Sequence, residues 1–166
     1  MQIISGKDIA EADADIIVNA ANGCGYMGGK WAQKELRRGV AEHLNYYTKG
    51  ALEKEAMKRA RKYSRISSWL CGRQAGEVFP TGSHGLNCDT VLHAVTMRYP
   101  SGKSNLASVA KAIKTVFQIA DEMNYHTIAM PPLGCGNGRL DREDVLSIIH
   151  KECVLHPKIK VFVYVM

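Results

Sequence analysis

The chain lacks three things: a CxxC pair, an apolar run long enough to span a membrane, and aromatics interleaved with its basic residues. Its five cysteines (Cys24, Cys71, Cys88, Cys135, Cys153) are an odd number without metal-ligand spacing. Neither a disulfide framework nor a zinc cluster is expected, and reduced thiols are. The absence of a long apolar run excludes a membrane span. Met1 leads directly into "MQIIS" without a basic segment followed by an apolar one, so no signal peptide is expected and a cytoplasmic location is. Without interleaved aromatics or a known binding motif, direct nucleic-acid readout is not supported. Repeats, low-complexity tracts and linkers are also missing. At 166 residues the expectation is one domain over 1–166, able to bury a core without metal or disulfide support. The composition, 46% hydrophobic and 23% charged, is that of an ordinary globule, and a net charge of +6 favours anionic partners.

Hydrophobic patterning gives alternating elements. "QII" and "DIIVNA" (Asp15 to Ala20) read as strands, as do "GEVFPT", "TVLHAVTM", "TIAMPP" and "KIKVFVYVM". Helices are expected over "KWAQKELRRGVAEHL" and over "ALEKEAMKRARKYS" after Gly50. A third follows Ser104, where Leu106, Val109, Ala110, Ile113, Val116, Phe117, Ala120 and Met123 share one face. A fourth follows Asp141, an N-cap with acids at 143 and 144 in the first turn. Such alternation predicts an α/β layer protein with a mixed, partly parallel sheet.

The chemistry gathers where strands end. "IIVNAANGCGYMGGK" (Ile16 to Lys30) and "PPLGCGNGRLD" (Pro131 to Asp141) each leave a strand and enter a glycine-rich segment before a helix. Closely spaced glycines let backbone N–H groups approach a phosphate, and a helix start adds a favourable dipole. Two such loops in one small domain point to an anion site, best a diphosphate. "GKS" at Gly102 to Ser104 is no P-loop, because the glycine needed five residues earlier is Met97. A turn with a helix cap at Ser104 is expected there. "GCGNG" is no dinucleotide fingerprint either, since its third glycine comes too early.

On these residues the chain resembles a macrodomain, the ADP-ribose-binding module. "GKDIAEADADIIVNAAN" looks like the opening of that family, "GEVFPTGSHGL" and "TVLHAV" like its middle strands, and "IAMPPLGCGNGRLD" with "KVFVYV" like its close. The second loop is of the Gly-Cys-Gly type. The likeness covers nearly the whole chain and is weakest between 40 and 74. It implies a three-layer α/β/α sandwich around a central mixed β-sheet.

The resemblance also implies roles. Asp8 would accept from the adenine amine, with the Ile9 amide near a phosphate; the plain alternative for Asp8 is a helix or turn cap. Asn22 would meet the distal ribose hydroxyls, while Asn19 holds the loop internally. Gly28 and Gly29 would approach the distal ribose and phosphate. Gly134, Cys135, Gly136 and Asn137, with Gly138 beside them, would wrap the diphosphate, Cys135 serving as a small spacer and not a nucleophile. Tyr164 would flank the adenine or act as a core tyrosine. No metal or cofactor is expected. The implied partners are ADP-ribose or an ADP-ribosylated protein or nucleic acid, no membrane, and the chain is expected to be a monomer.

Catalysis is a separate matter, because side chains used by active members are replaced. An aspartate after the first loop corresponds to Ala32, a lysine after the "LHAVT"-like strand to Met97, and an acid in the second loop to Gly138. Lys30 departs the other way, a cation in the first turn of a helix, where the dipole disfavours it. Lys30 is therefore the catalytic candidate, reaching the distal ribose or phosphate in place of the lysine missing at Met97, unless it is simply solvated. Trp31 is expected to pack against the core or cap the ribose pocket. His93 reads as a core histidine bonded to backbone, His84 as an exposed turn residue, and Lys54 to Arg65 as a solvated basic face. Three functions remain: an ADP-ribose binder that removes the group from its carrier, a reader without turnover, and a processor of derivatives such as ADP-ribose-1''-phosphate.

Overall fold

The computed structural model describes residues 1–35, 39–61 and 72–165. Six strands form one sheet: β1 (Gln2–Ser5), β2 (Ile16–Asn22), β3 (Val78–Thr81), β4 (Thr90–Met97), β5 (Thr127–Met130) and β6 (Lys160–Val165). Their order is β1-β6-β5-β2-β4-β3, with every pair parallel except β3–β4. The helices are α1 (Gly29–Ala32), α2 (Val40–Tyr47), α3 (Ala51–Ala60), α4 (Leu106–Glu122) and α5 (Arg142–Leu155), with a 3-10 turn at Ile9–Glu11.

Side-chain alternation along the strands explains the layering. Ile16 and Val18 of β2, Leu92 and Ala94 of β4, and Ile128 and Met130 of β5 enter one core cluster with α4 and α5. Their neighbours Ile17, Val91, Val95 and Ala129 enter a second cluster with α2, α3 and the 3-10 turn. A strand buried on both faces must be apolar at successive positions, which is why "DIIVNA" and "TVLHAV" carry almost no polar break. The result is the expected three-layer α/β/α sandwich around a mixed sheet.

Several boundaries differ from the patterning. The expected helix from Lys30 to Leu44 is two helices. Gly39 adopts an extended conformation (φ −96°, ψ 142°) and its N–H is met by the Glu42 carboxyl three residues on, a cap that starts α2 afresh. Leu106 at the start of α4 and Met123, its C-cap, are 38% and 59% exposed, whereas Val109, Ile113, Val116, Phe117 and Ala120 are buried as patterned. The cap of α4 is Asn105, which accepts from the Ser108 N–H at 2.8 Å, so the cap expected at Ser104 lies one residue later. Asp141 caps α5 as expected. Within the basic segment, Arg59 pairs with Glu55 at 2.6 Å on the solvated face of α3; positions 62–65 lie outside the described residues, as does Cys71. His84 sits in its exposed turn, 2.6 Å from Glu55.

His93 is fully buried on β4, stacked on Phe79 with ring centroids 4.8 Å apart. Its partners are side chains and not backbone: Asn19 Nδ2 lies 3.1 Å from Nδ1, and Thr81 Oγ1 2.9 Å from Nε2. An amide donor facing Nδ1 suits the neutral ring. Burial lowers the His93 pKa to about 3. A depressed histidine pKa means that, below the ordinary value of 6.5, the unfolded chain takes up a proton that the folded chain refuses. Stability is therefore fully present above pH 6.5 and falls as the pH drops towards 3. The expected contribution is about 1.4 kcal/mol per pH unit within that window. Urea unfolding between pH 4.5 and 7 should show a steeper decline for the parent chain than for His93→Gln; equal slopes would contradict a neutral buried ring.

Candidate functional site

The C-terminal ends of β6, β5, β2 and β4 form the floor of a cavity of about 570 Å³. Tyr164 and Val165 close it on the β6 side, and Thr96 and Met97 on the β4 side. Loop one (23–28) with the start of α2 makes one wall, and loop two (131–138) the other. The strand ends of a parallel sheet are where such crevices form, because the crossover connections diverge there.

Loop one has nearly all its N–H groups satisfied by the protein. Asn22 Oδ1 accepts from the N–H groups of Cys24 and Tyr26 at 3.1 and 3.2 Å, and its Nδ2 donates to the Tyr26 carbonyl at 2.8 Å. Below the loop, buried Glu53 on α3 accepts at Oε1 from the N–H groups of Met27 (2.6 Å) and Gly29 (2.9 Å). Asn45 on α2 completes the clamp, donating to the carbonyls of Met27 and Gly29 and to Glu53 Oε2. The Gly28 amide between them has no partner among the described residues. Asn22 thus carries the internal holding role expected of Asn19. Asn19 is fully buried within β2, bonded to His93 and away from the loop.

Loop two is the opposite case. Its Cys135 N–H is taken by the Pro132 carbonyl, and Leu140 and Arg139 N–H groups close turns onto Gly134 and Gly136. The amides of Gly136, Asn137 and Gly138 have no partner among the described residues, and all three residues line the cavity. Successive free amides on a curved backbone form an anion-binding concavity. The glycines differ in purpose. A Cβ at Gly138 would meet Ser104 Oγ at 2.2 Å, so the position is fixed by close packing, whereas a Cβ at Gly136 meets nothing within 4 Å. Ser104, expected as a helix cap, instead sits under this loop with its N–H 3.3 Å from the Gly138 carbonyl.

The structure brings together Asn22, Gly28, Gly134, Cys135, Gly136, Asn137, Gly138 and Tyr164 on one cavity surface. Asp8, Ile9, Asn19, Gly29, Lys30 and Trp31 are outside its lining. Asp8 caps the 3-10 turn, accepting from the Ala10 N–H at 3.0 Å, and its other oxygen lies 2.6 Å from His43 Nδ1. Lys30 is solvent-exposed, and Trp31 is 71% exposed instead of packed, because the single turn of α1 presents both outward. Tyr164 lines the cavity and also packs against the second core cluster.

Sequence reasoning missed Tyr26, Glu42 and Arg142 on the lining and the Glu53–Asn45 clamp beneath it. For Glu42 a signal existed, a glycine followed three residues later by a glutamate. Among the described lining residues, Glu42 and Arg142 are the only ones with formally charged side chains. Burial raises the Cys135 thiol pKa, with Arg142 working against it, and the sulfur is turned to the carbonyls of Leu133 and Asp141. That suits the expected spacer and not a nucleophile. No group of His, Cys, Asp or Glu among the described residues could hold a metal ion, and no described helix is long and apolar enough to cross a membrane.

Known proteins match this chain in sequence and in fold. The model of the Macro domain family matches residues 18–149. A protein of Aquifex aeolicus is 31% identical over 143 residues, covering 86% of this chain and 74% of its own length. The DNA ADP-ribosyl glycohydrolase of Mycobacterium tuberculosis is 30% identical over 138 residues, 83% of this chain but 34% of that protein. Among solved structures, the macrodomain of Mycobacterium tuberculosis DarG superposes with a TM-score of 0.78 at 23% identity, covering 98% of this chain and 97% of that one. A mutant Oceanobacillus iheyensis macrodomain with ADPR gives 0.76 at 18% identity, covering 98% and 82%. Matched by the family model over most of its length and folded as its members are, the chain belongs to the macro domain family.

Proposed function

We propose that the cavity binds ADP-ribose, free or at the end of an ADP-ribosylated macromolecule, and that the chain removes it from its carrier. The observation that carries this reading is the row of free amides at Gly136, Asn137 and Gly138 on one wall of the cavity, with the free amide of Gly28 on the other. Amides on both walls suit a diphosphate, which offers acceptors in several directions. The adenine goes to the β6 end against Tyr164 and Val165, and the distal ribose to the β4 end near Asn22 and Met97. Asn22 keeps one Nδ2 hydrogen beyond its bond to Tyr26, enough for a ribose hydroxyl. The mycobacterial relative named for DNA ADP-ribosyl hydrolysis and the neighbour solved with ADPR support the ligand class.

Cleavage requires water to attack the anomeric carbon while the carrier departs, with the diphosphate held rigidly. Three positions favour a second reading, a module that binds without turnover: Ala32 is buried and apolar, Met97 is the side chain at the β4 end, and Gly138 has its side-chain space filled by Ser104. In this chain water activation rests on the substrate and the backbone.

Calorimetry should show ADP-ribose binding preferred over AMP; equal affinity would remove the reading. Gly136→Val places a branched side chain in open cavity space and should weaken ADP-ribose binding by at least about tenfold, roughly 1.4 kcal/mol, with an unchanged unfolding midpoint. Incubation with mono-ADP-ribosylated single-stranded DNA and with mono-ADP-ribosylated protein separates the two readings. Release of ADP-ribose establishes removal, and retention on the protein without release establishes the binding module.

A further inference from the structure

The cation at this site is not the one the sequence singles out. Lys30 and Arg142 are both exposed, but only Arg142 is on the cavity lining, which it shares with Cys135 and Gly136 of loop two. Arg142 is the first residue of the fourteen-residue α5, directly after its cap. Asp141 Oδ1 is already engaged by the N–H groups of Glu143 and Asp144, at 2.8 and 3.2 Å. A helix start favours acids, which Glu143 and Asp144 supply, and disfavours a guanidinium. The helix dipole therefore works against Arg142, and the neighbouring carboxylates of Asp141, Glu143 and Asp144 offset it in part. Among the described residues its side chain has neither an ion-pair nor a hydrogen-bond partner, and its charge is felt at Cys135 on the cavity wall. The other charged lining residue, Glu42, is held at the Gly39 N–H on the α2 side.

We propose that Arg142 binds the second phosphoryl group of the ligand and makes the cavity select a nucleoside diphosphate over a monophosphate. This rests on the reading that loop two holds the phosphates. The free amides of residues 136–138 can cradle one phosphoryl group, and a planar fork of donors next to them supplies a bidentate partner for its neighbour. Bound phosphate also resolves the local misfit, because it places negative charge between the guanidinium and the positive end of α5. The residue thus sets specificity by charge count, and the adenine and ribose contacts do not depend on it.

The test is calorimetry with ADP-ribose, ADP and AMP on the parent chain, Arg142→Ala and Arg142→Lys. Arg142→Ala should lose about tenfold or more for ADP-ribose and ADP while AMP changes little, and the salt dependence of ADP-ribose binding should flatten. Arg142→Lys should recover part of the loss, since it returns the charge without the fork. The unfolding midpoint of Arg142→Ala should stay level or rise, because a cation has left the first turn of α5, so a binding loss cannot be ascribed to misfolding. Unchanged ADP-ribose affinity, or an equal loss for AMP, would overturn the role of Arg142 while leaving the function standing. A parent chain that binds none of the three nucleotides would overturn the function, and this proposal with it.

Discussion

The site depends on one buried side chain that touches no ligand. Glu53 reaches from α3 beneath loop one and takes the N–H groups of Met27 and Gly29, while Asn45 takes the carbonyls of the same two residues. The N–H groups on either side of Gly28 are therefore satisfied by the protein, and the amide of Gly28, a lining residue, has no partner among the described residues. Without Glu53 one buried and one part-buried N–H group would be orphaned, at about 1–3 kcal/mol each. The loop would then turn those groups towards water, and the wall of the cavity would move with it. Position here is set from behind.

The two walls solve the same problem with opposite accounting. Loop one satisfies itself through side chains, Asn22 from within and Glu53 from below. Loop two leaves consecutive amides open and is shaped by packing instead, with Ser104 wedged against Gly138. An unsatisfied amide is tolerable where water or a ligand can reach it and costly where neither can. Loop two lies at the cavity surface, with Gly136 and Asn137 exposed, so open amides can persist there. The same wedge accounts for glycine at position 138, where the side chain of an acid would need the volume that Ser104 occupies.

Much of this was legible in the sequence because it is local. Strand alternation gave both core clusters, and the glycine spacing marked both loops. What stayed hidden needed a third dimension. Asn19 and Asn22 lie on one strand of identical local character, and only the pairing of β2 with β4 shows that Asn19 sits opposite His93. Glu53 looks like any acid in the first turn of a helix until α3 is packed under loop one. Asp8 was open to a capping role from the start, and it has one. Trp31 is expected against the core or over the ribose pocket, but a helix of a single turn has too little surface to bury it, and it is off the cavity lining.

A positive side chain in the first turn of a helix is unfavourable, and that rule picked Lys30. Applied to α5, it picks Arg142 as well, and more strongly. The dipole grows with aligned peptide units, and α5 has fourteen residues against four in α1. A one-turn helix hardly penalises Lys30, so its position needs no functional reason and solvent satisfies it. Arg142, exposed as well, meets the field of a longer helix, shares the cavity lining with amides that have no protein partner, and has none of its own among the described residues. Repulsion between a guanidinium and a helix start is relieved when an anion lies between them. The same anion satisfies the amides of loop two, so one ligand removes two unfavourable features at once.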